Sequence, residues 1–176
     1  MFFVTDPDRT PDPLAVAARL PHGTGVIFRG FGRPDAEATA LALARLARRR
    51  GLVLLIGRDE ALSARVGAAG VHLPERDLWR ARAIRARHPG WLISGAAHSP
   101  WALATARRIG LDVALLSTAF ASNSPSAKRP LRPVRLAAMA RGAGLAVVAL
   151  GGVNGRTAKR LVGTGVVGFA AVQGLT

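Results

Sequence analysis

The stretch that decides the fold runs from Gly25 to Ile56 and reads GVIFRGFGRPDAEATALALARLARRRGLVLLI. It opens with a short apolar run, Gly25–Arg29, and closes with another, Leu52–Ile56. Both are continuous rather than alternating, which is how strands covered on both faces of a parallel sheet read. Between them, Asp35–Arg50 reads as an amphipathic helix with Ala38, Leu41, Leu43, Leu46 and Ala47 as its apolar face. Pro34 precedes it, Asp35 and Glu37 lie in its first turn, and Arg48–Arg50 stand ahead of Gly51. Acids therefore sit at the positive end of the helix dipole and bases at the negative end. The segment is a strand–helix–strand unit.

The same alternation extends in both directions. Further apolar runs are Phe2–Thr5, Gly70–Leu73, Trp91–Gly95, Val113–Ser117, Leu145–Leu150 and Val166–Val172. Helical patterns lie at Asp77–His88, Ser99–Arg108, Pro133–Arg141 and Asn154–Val162. Repeated β-then-α order predicts an α/β fold with a parallel sheet. Eight strands in sequence favour closure into a (β/α)8 TIM barrel, with residues 1–176 as a single domain. An open doubly wound sheet would carry a glycine-rich turn directly after its first strand, whereas Asp6-Pro7-Asp8 follows here. At 176 residues the barrel is small, because the class runs to about 250 residues. The shortage falls after strand eight, so the last helix is expected to be short or missing. A second copy of the chain covering that end, and hence a homo-oligomer, is the alternative. The longest irregular stretch is Ala121–Arg132.

Composition narrows the function classes. With 49% hydrophobic and 20% charged residues the chain reads as globular. The absence of cysteine excludes disulfides, thiolate metal sites and cysteine nucleophiles. No basic stretch precedes the short apolar run in MFFVTDPDRTPDP, so no signal peptide is read. No run approaches the roughly 18 apolar residues of a membrane span. The expectation is a cytoplasmic protein with no membrane partner. A net charge of +15 raises nucleic-acid binding as a reading. Yet Lys128 and Lys159 are the only lysines, the arginines are spread over every predicted helix, and there is no tyrosine. Stacking platforms interleave aromatics with basic residues, so the charge is assigned to solvated helix faces.

In a barrel of this kind the chemistry sits just after the strands. Those positions hold Thr5 and Asp6, then Arg29, then Arg58 and Asp59, then His72, Glu75 and Asp77. They continue with His98 and Ser99, Ser117 and Thr118, and Gly151-Gly152 followed by Asn154. The glycine pair is the strongest signal, because two glycines let backbone N–H groups turn toward a ligand and a helix start behind them favours an anion. Paired glycines also make plain tight turns. Arg29 ends an otherwise apolar strand and can reach a phosphate or only the rim. His72, inside an apolar strand, reads as a structural imidazole rather than a base. His98, ahead of a Ser99-Pro100 helix start, can equally pack or cap.

Several segments taken together resemble the thiamine phosphate synthase and TenI family of barrels over nearly the whole chain. They are FFVTD at Phe2–Asp6, G-V-H-L at Gly70–Leu73 with Asp77 four residues on, and A-x-H-S at Ala96–Ser99. Gly110-Leu111-Asp112 follows, leading into a strand ended by Ser117–Phe120, then Val147–Val153 as V-V-A-L-G-G-V and Gly165–Ala170. The resemblance implies a transferase of thiamine biosynthesis acting on small phosphorylated heterocycles. It joins an aminopyrimidine pyrophosphate to a thiazole phosphate, releasing pyrophosphate through a stabilised pyrimidine cation, with Mg²⁺ and basic groups holding the leaving group. Carried over residue by residue, it implies catalytic roles for Arg29 and, after an insertion, Lys128. Gly151, Gly152, His98 and Arg58 would bind substrate, and Asp77 with Asp59 would bind Mg²⁺.

This chain departs from the family at definite places. The glutamine and lysine flanking the strand-two arginine are Ile27 and Phe31, and the serine of a G-x-S element is Ala96. The second Mg²⁺ aspartate is Arg58, with Asp59 beside it, and the TenI histidine after strand six is Thr118. A guanidinium about 6 Å from a divalent cation, at an effective dielectric near 20, is repelled by roughly 5 kcal/mol. Either Asp59 or Glu75 substitutes, or Arg58 itself neutralises the pyrophosphate. Two functional readings remain: a divergent synthase, and a non-catalytic or TenI-like member binding a thiamine-related phosphorylated ligand.

Overall fold

Eight parallel strands pair in chain order, and the eighth returns to the first, closing a barrel. The computed structural model describes residues 1–30, 32–122 and 129–173. The strands are β1 (Phe2–Val4), β2 (Gly25–Phe28), β3 (Val53–Gly57), β4 (Gly70–Leu73), β5 (Leu92–Ala97), β6 (Val113–Ser117), β7 (Ala146–Leu150) and β8 (Gly168–Ala171). Each coincides with an expected run to within a few residues. Helices α1 (Pro13–Ala17), α2 (Ala36–Arg50), α3 (Glu60–Val66), α4 (Ala81–Arg87), α5 (Pro100–Arg108) and α6 (Pro133–Gly142) lie between them.

The continuous apolar runs have a simple cause: alternate side chains serve two cores. Val4, Ile27, Leu55, Leu115, Val148 and Ala170 pack together inside the barrel. Their neighbours Phe3, Val26, Phe28, Leu54 and Ile56 pack outward with residues of α1, α2 and α3. At the bottom, Gly25 is register partner to Phe2, and a Cβ there would lie 2.2 Å from the Phe2 ring. The missing side chain makes room for the ring.

Several expected helices differ in detail. Ala38 and Leu41 of α2 are exposed, and the buried face is Ala40, Leu43, Ala44 and Ala47. Alanines on that face bring the helix close to the sheet, so close packing overrides the larger leucine at 41. Asp77–His88 begins as a 3₁₀ turn over Glu75–Arg80 before α4. The expected helix Asn154–Val162 shrinks to a 3₁₀ turn at Ala158–Leu161. There the Asn154 carboxamide oxygen accepts the N–H groups of Arg156 and Thr157, holding a side-chain turn instead of a helix start. α1 and α3 were not expected, since five and seven residues are too few to show a period. Their caps were visible: Asp12 and Asp59 each accept an N–H three residues on. Gly163–Gly168 has the spacing G-x-G-x-x-G, but it leads into β8 rather than out of a strand, so it forms no dinucleotide turn. Only Val172 and Gln173 are described after β8, and the expectation about the last helix falls on residues outside the described ones.

Leu55 is fully buried inside the barrel. Leu55→Ala should cost about 3 kcal/mol, read as a lower urea midpoint with an unchanged slope. A loss below about 1 kcal/mol would mean that the interior is not packed as described.

Candidate active site at the mouth of the barrel

The loops after the strands surround a cavity of about 1390 Å³ at the C-terminal end of the barrel. Val4, Leu115 and Leu150 form an apolar part of its wall, and His72, His98, Ser117 and Thr118 form a polar part. Arg9, Arg29, Arg33, Arg58, Arg65 and Arg76 also line it. These guanidinium groups outnumber the carboxylates of Asp6, Glu37 and Asp59 in the same wall, so the field there is positive.

The β7 loop contributes Gly151 and Gly152, whose φ values are +99° and +62°. A Cβ on Gly152 would stand 2.2 Å from the Ala121 carbonyl oxygen, so both conformation and space demand glycine. The N–H groups of Gly152 and Val153 donate to no group among the described residues, and both residues line the cavity. Thr157 Oγ1 donates to the Gly152 carbonyl at 2.9 Å and braces the loop. The glycine pair leaves two loop amides unbonded among the described residues at the cavity wall. The helix start expected behind them is absent, so its dipole contributes nothing.

Arg29 is drawn into the mouth by β1. Its N–H donates to Thr5 Oγ1 at 2.9 Å and its Nε to the Thr5 carbonyl at 2.7 Å. Asp6 Oδ2 receives Nη2 of both Arg29, at 3.0 Å, and Arg9, at 2.8 Å. The hydrogen bond from Arg9, with the field of both guanidiniums, holds the Asp6 carboxyl below its usual range. Burial lowers the Arg29 pKa, partly offset by Asp6. Two guanidiniums on one carboxylate leave a net positive charge where Arg9 was not anticipated.

Arg58 and Asp77 meet directly. Arg58 Nε lies 2.8 Å from Asp77 Oδ2, with the arginine side chain 58% exposed and the aspartate 15%. Arg58 is the one non-glycine residue with positive φ among the described residues, at +64°, a conformation that costs an L-residue about 1–2 kcal/mol. Asp59, expected as a metal ligand, spends Oδ1 on the Leu62 N–H at 2.8 Å as the cap of α3. No group of three or more His, Cys, Asp or Glu side chains suited to a metal occurs among the described residues. Mg²⁺ requires near-octahedral oxygen coordination. One carboxylate bound to a guanidinium and another spent as a helix cap do not fit it.

The two histidines differ. His72 Nδ1 lies 2.9 Å from Oγ of the fully buried Ser94. Burial first, and Arg29 second, push the His72 pKa down to about 4, so the ring is neutral at pH 7. Glu75 Oε2 accepts both the His98 backbone N–H at 2.8 Å and Nδ1 at 2.7 Å. A carboxylate only accepts, so Nδ1 carries the hydrogen and Nε2 is the nitrogen left for a ligand. Ser99, not His98, caps α5. The Glu75–His98 pair was not anticipated, although both residues follow adjacent strands. Arg76, also missed, lies beside Glu75 and Asp77. Lys128 and Phe31 lie outside the described residues.

Fold and site together define a (β/α)8 barrel with an arginine-rich mouth. The family model for thiamine monophosphate synthase matches residues 1–175, and the chain belongs to that family. It is 34% identical over 184 residues to the thiamine-phosphate synthase of Marinobacter nauticus, covering 99% of this chain and 82% of that protein. It is 30% identical over 187 residues to the thiamine-phosphate synthase of Alcanivorax borkumensis, covering 99% and 84%. Among solved structures it is similar to a thiamine phosphate pyrophosphorylase from Pyrococcus furiosus, with a TM-score of 0.82 and 23% identity over 96% of this chain and 83% of that one. At that identity the structural likeness speaks for the fold.

The His72 shift has a pH consequence. Above about pH 6.5 the imidazole is neutral folded and unfolded alike; between 6.5 and about 4 the unfolded chain takes up a proton that the folded chain refuses. Stability should therefore fall by about 1.4 kcal/mol per pH unit across that window. His72→Asn should flatten this loss relative to wild type, measured by urea midpoints at pH 7 and pH 4.5. Equal losses in both proteins would assign the acid sensitivity to other groups.

Proposed function

We propose that this barrel joins an aminopyrimidine pyrophosphate to a thiazole phosphate, forming thiamine phosphate and releasing pyrophosphate. The observation that carries the reading is one cavity holding both an amide cradle at Gly152–Val153 and a rim of arginines. Its roughly 1390 Å³ exceeds the volume usual for one small ligand, which is about 300–1,000 Å³. Two phosphorylated reactants suit it. The family membership supports the same chemistry.

The reaction breaks the bond between the pyrimidine methylene and the pyrophosphate oxygen, and the electron pair leaves with pyrophosphate. The thiazole nitrogen then forms the new C–N bond to the pyrimidine cation. The Gly152 and Val153 amides would hold the thiazole phosphate, and Arg29, fixed by Thr5 and Asp6, would face the charge developing on the leaving group. His72 serves by being neutral. An imidazolium about 5 Å from the pyrimidine cation would oppose its formation by roughly 3 kcal/mol at a dielectric of 20, and burial together with Arg29 prevents that charge. His98, oriented by Glu75, would offer Nε2 to a heterocycle. The side chains around Asp77 do not fit Mg²⁺, so the charge of the leaving group would fall to the arginines. The cytoplasm is the compartment proposed; the supporting fact is that no described helix is long and apolar enough to cross a membrane.

A second reading, ligand binding without turnover, is favoured by two substituted positions. Ile27 is fully buried and Ala96 lines the cavity where the family motifs place polar side chains. Incubating the two substrates and oxidising any thiamine phosphate to its fluorescent product decides between them. Product supports synthesis, whereas thermal stabilisation by thiamine phosphate without product supports binding alone. For an active enzyme, Gly152→Ala should lower kcat/KM for the thiazole phosphate roughly 10- to 100-fold, the worth of a charged hydrogen bond. An unchanged value would remove the β7 loop from the phosphate site.

A further inference from the structure

We propose that Arg58, fixed by Asp77 and assisted by Arg76, is a binding residue for a pyrophosphate group and stands in place of a divalent cation. The inference deepens the function above and takes the ligand's identity from it. It begins with the way Arg58 is held. Its backbone N–H donates to the His72 carbonyl at 2.9 Å, and its own carbonyl accepts from Arg80 Nη1 at 3.0 Å. Both peptide groups are clamped, and the residue keeps a φ of +64° in which glycine would be unstrained. A side chain is being kept where the backbone would prefer none.

That side chain is aimed and left open. Asp77 engages Nε alone, and Nη1 and Nη2 donate to no described group. A guanidinium pinned at one edge with its terminal N–H groups available is arranged for two parallel bonds to phosphate oxygens. Arg58 lines the cavity, and so does Arg76, which has no acidic partner among the described residues. Charge supports the substitution. A divalent cation on two carboxylates is neutral as a unit, and so is one guanidinium on one carboxylate; Arg76 then supplies an uncompensated positive charge for the anion.

Isothermal titration with inorganic pyrophosphate tests this in three proteins: wild type, Arg58→Gly and Arg76→Ala. Glycine is chosen because it accepts the positive φ, so the fold should survive, and a melting curve confirms that. Wild type should bind pyrophosphate in EDTA at least as tightly as in Mg²⁺. Arg58→Gly should weaken that binding at least tenfold without lowering the melting temperature, and Arg76→Ala should weaken it by a smaller factor. Binding seen only with Mg²⁺, no binding in either buffer, or an unchanged affinity in Arg58→Gly would each overturn the proposal. Turnover is read in no arm, so a protein that binds pyrophosphate this way but makes no thiamine phosphate refutes the function above and leaves this assignment standing.

Discussion

The return of β8 onto β1 is the constraint on which the rest depends. Among the described residues two register pairs make it, Phe2 with Ala170 and Phe3 with Ala171. That closure removes the sheet's open edges and brings the β1 loop, with Thr5 and Asp6, around to the same mouth as the β7 loop, with Gly151 and Gly152. An open sheet of the same strands would leave these two loops far apart. Closure also makes the interior a matter of volume. Phe2 fits over Gly25, and the small Ala170 stands among larger branched side chains.

Closure concentrates charge as well. Strands that end together deliver their polar residues to one rim above an apolar core, where fields are screened less than in water. Asp6 answers this by accepting from two arginines, and Glu75 by accepting twice from His98. His72 answers it differently. Wedged near Arg29 and bonded to Ser94, it gives up its proton instead of adding to the positive field. The mouth is thus cationic at its arginines and uncharged at His72, a division suited to phosphates joined to neutral rings.

The strands were legible in the sequence because an eight-stranded barrel is apolar on both faces, and Val147–Leu150 or Leu54–Ile56 reads the same however it is turned. The facing of α2 was not, because alanines can lie on any face and only packing distance decides which are buried. The β7 turn was misread as a helix start for a related reason. Asn154 can cap a helix or hold a turn, and its carboxamide chose the turn. At the site, Arg29 and the glycine pair announced themselves by position. The pairing of Glu75 with His98 across 23 residues, and of Arg58 with Asp77 across 19, depends on two loops meeting in space. No local pattern encodes that. The departure at 58 was visible in the sequence; that its guanidinium would be fixed by the very aspartate expected to bind metal was not.

That last contact changes what the site asks of its surroundings. A divalent ion concentrates two charges but must shed tightly held water and keep near-octahedral order around oxygen ligands. A guanidinium carries one charge, is weakly hydrated, and has its geometry built in. Exchanging the first for the second lowers the peak field and requires other cations to make up the difference. Arg9, Arg29 and Arg76 are present at the same mouth. Their presence there matches what such an exchange at 58 would require. On that reading the strain at its φ of +64° would be the local cost of keeping a fixed, permanently charged group where a metal would otherwise have to be recruited.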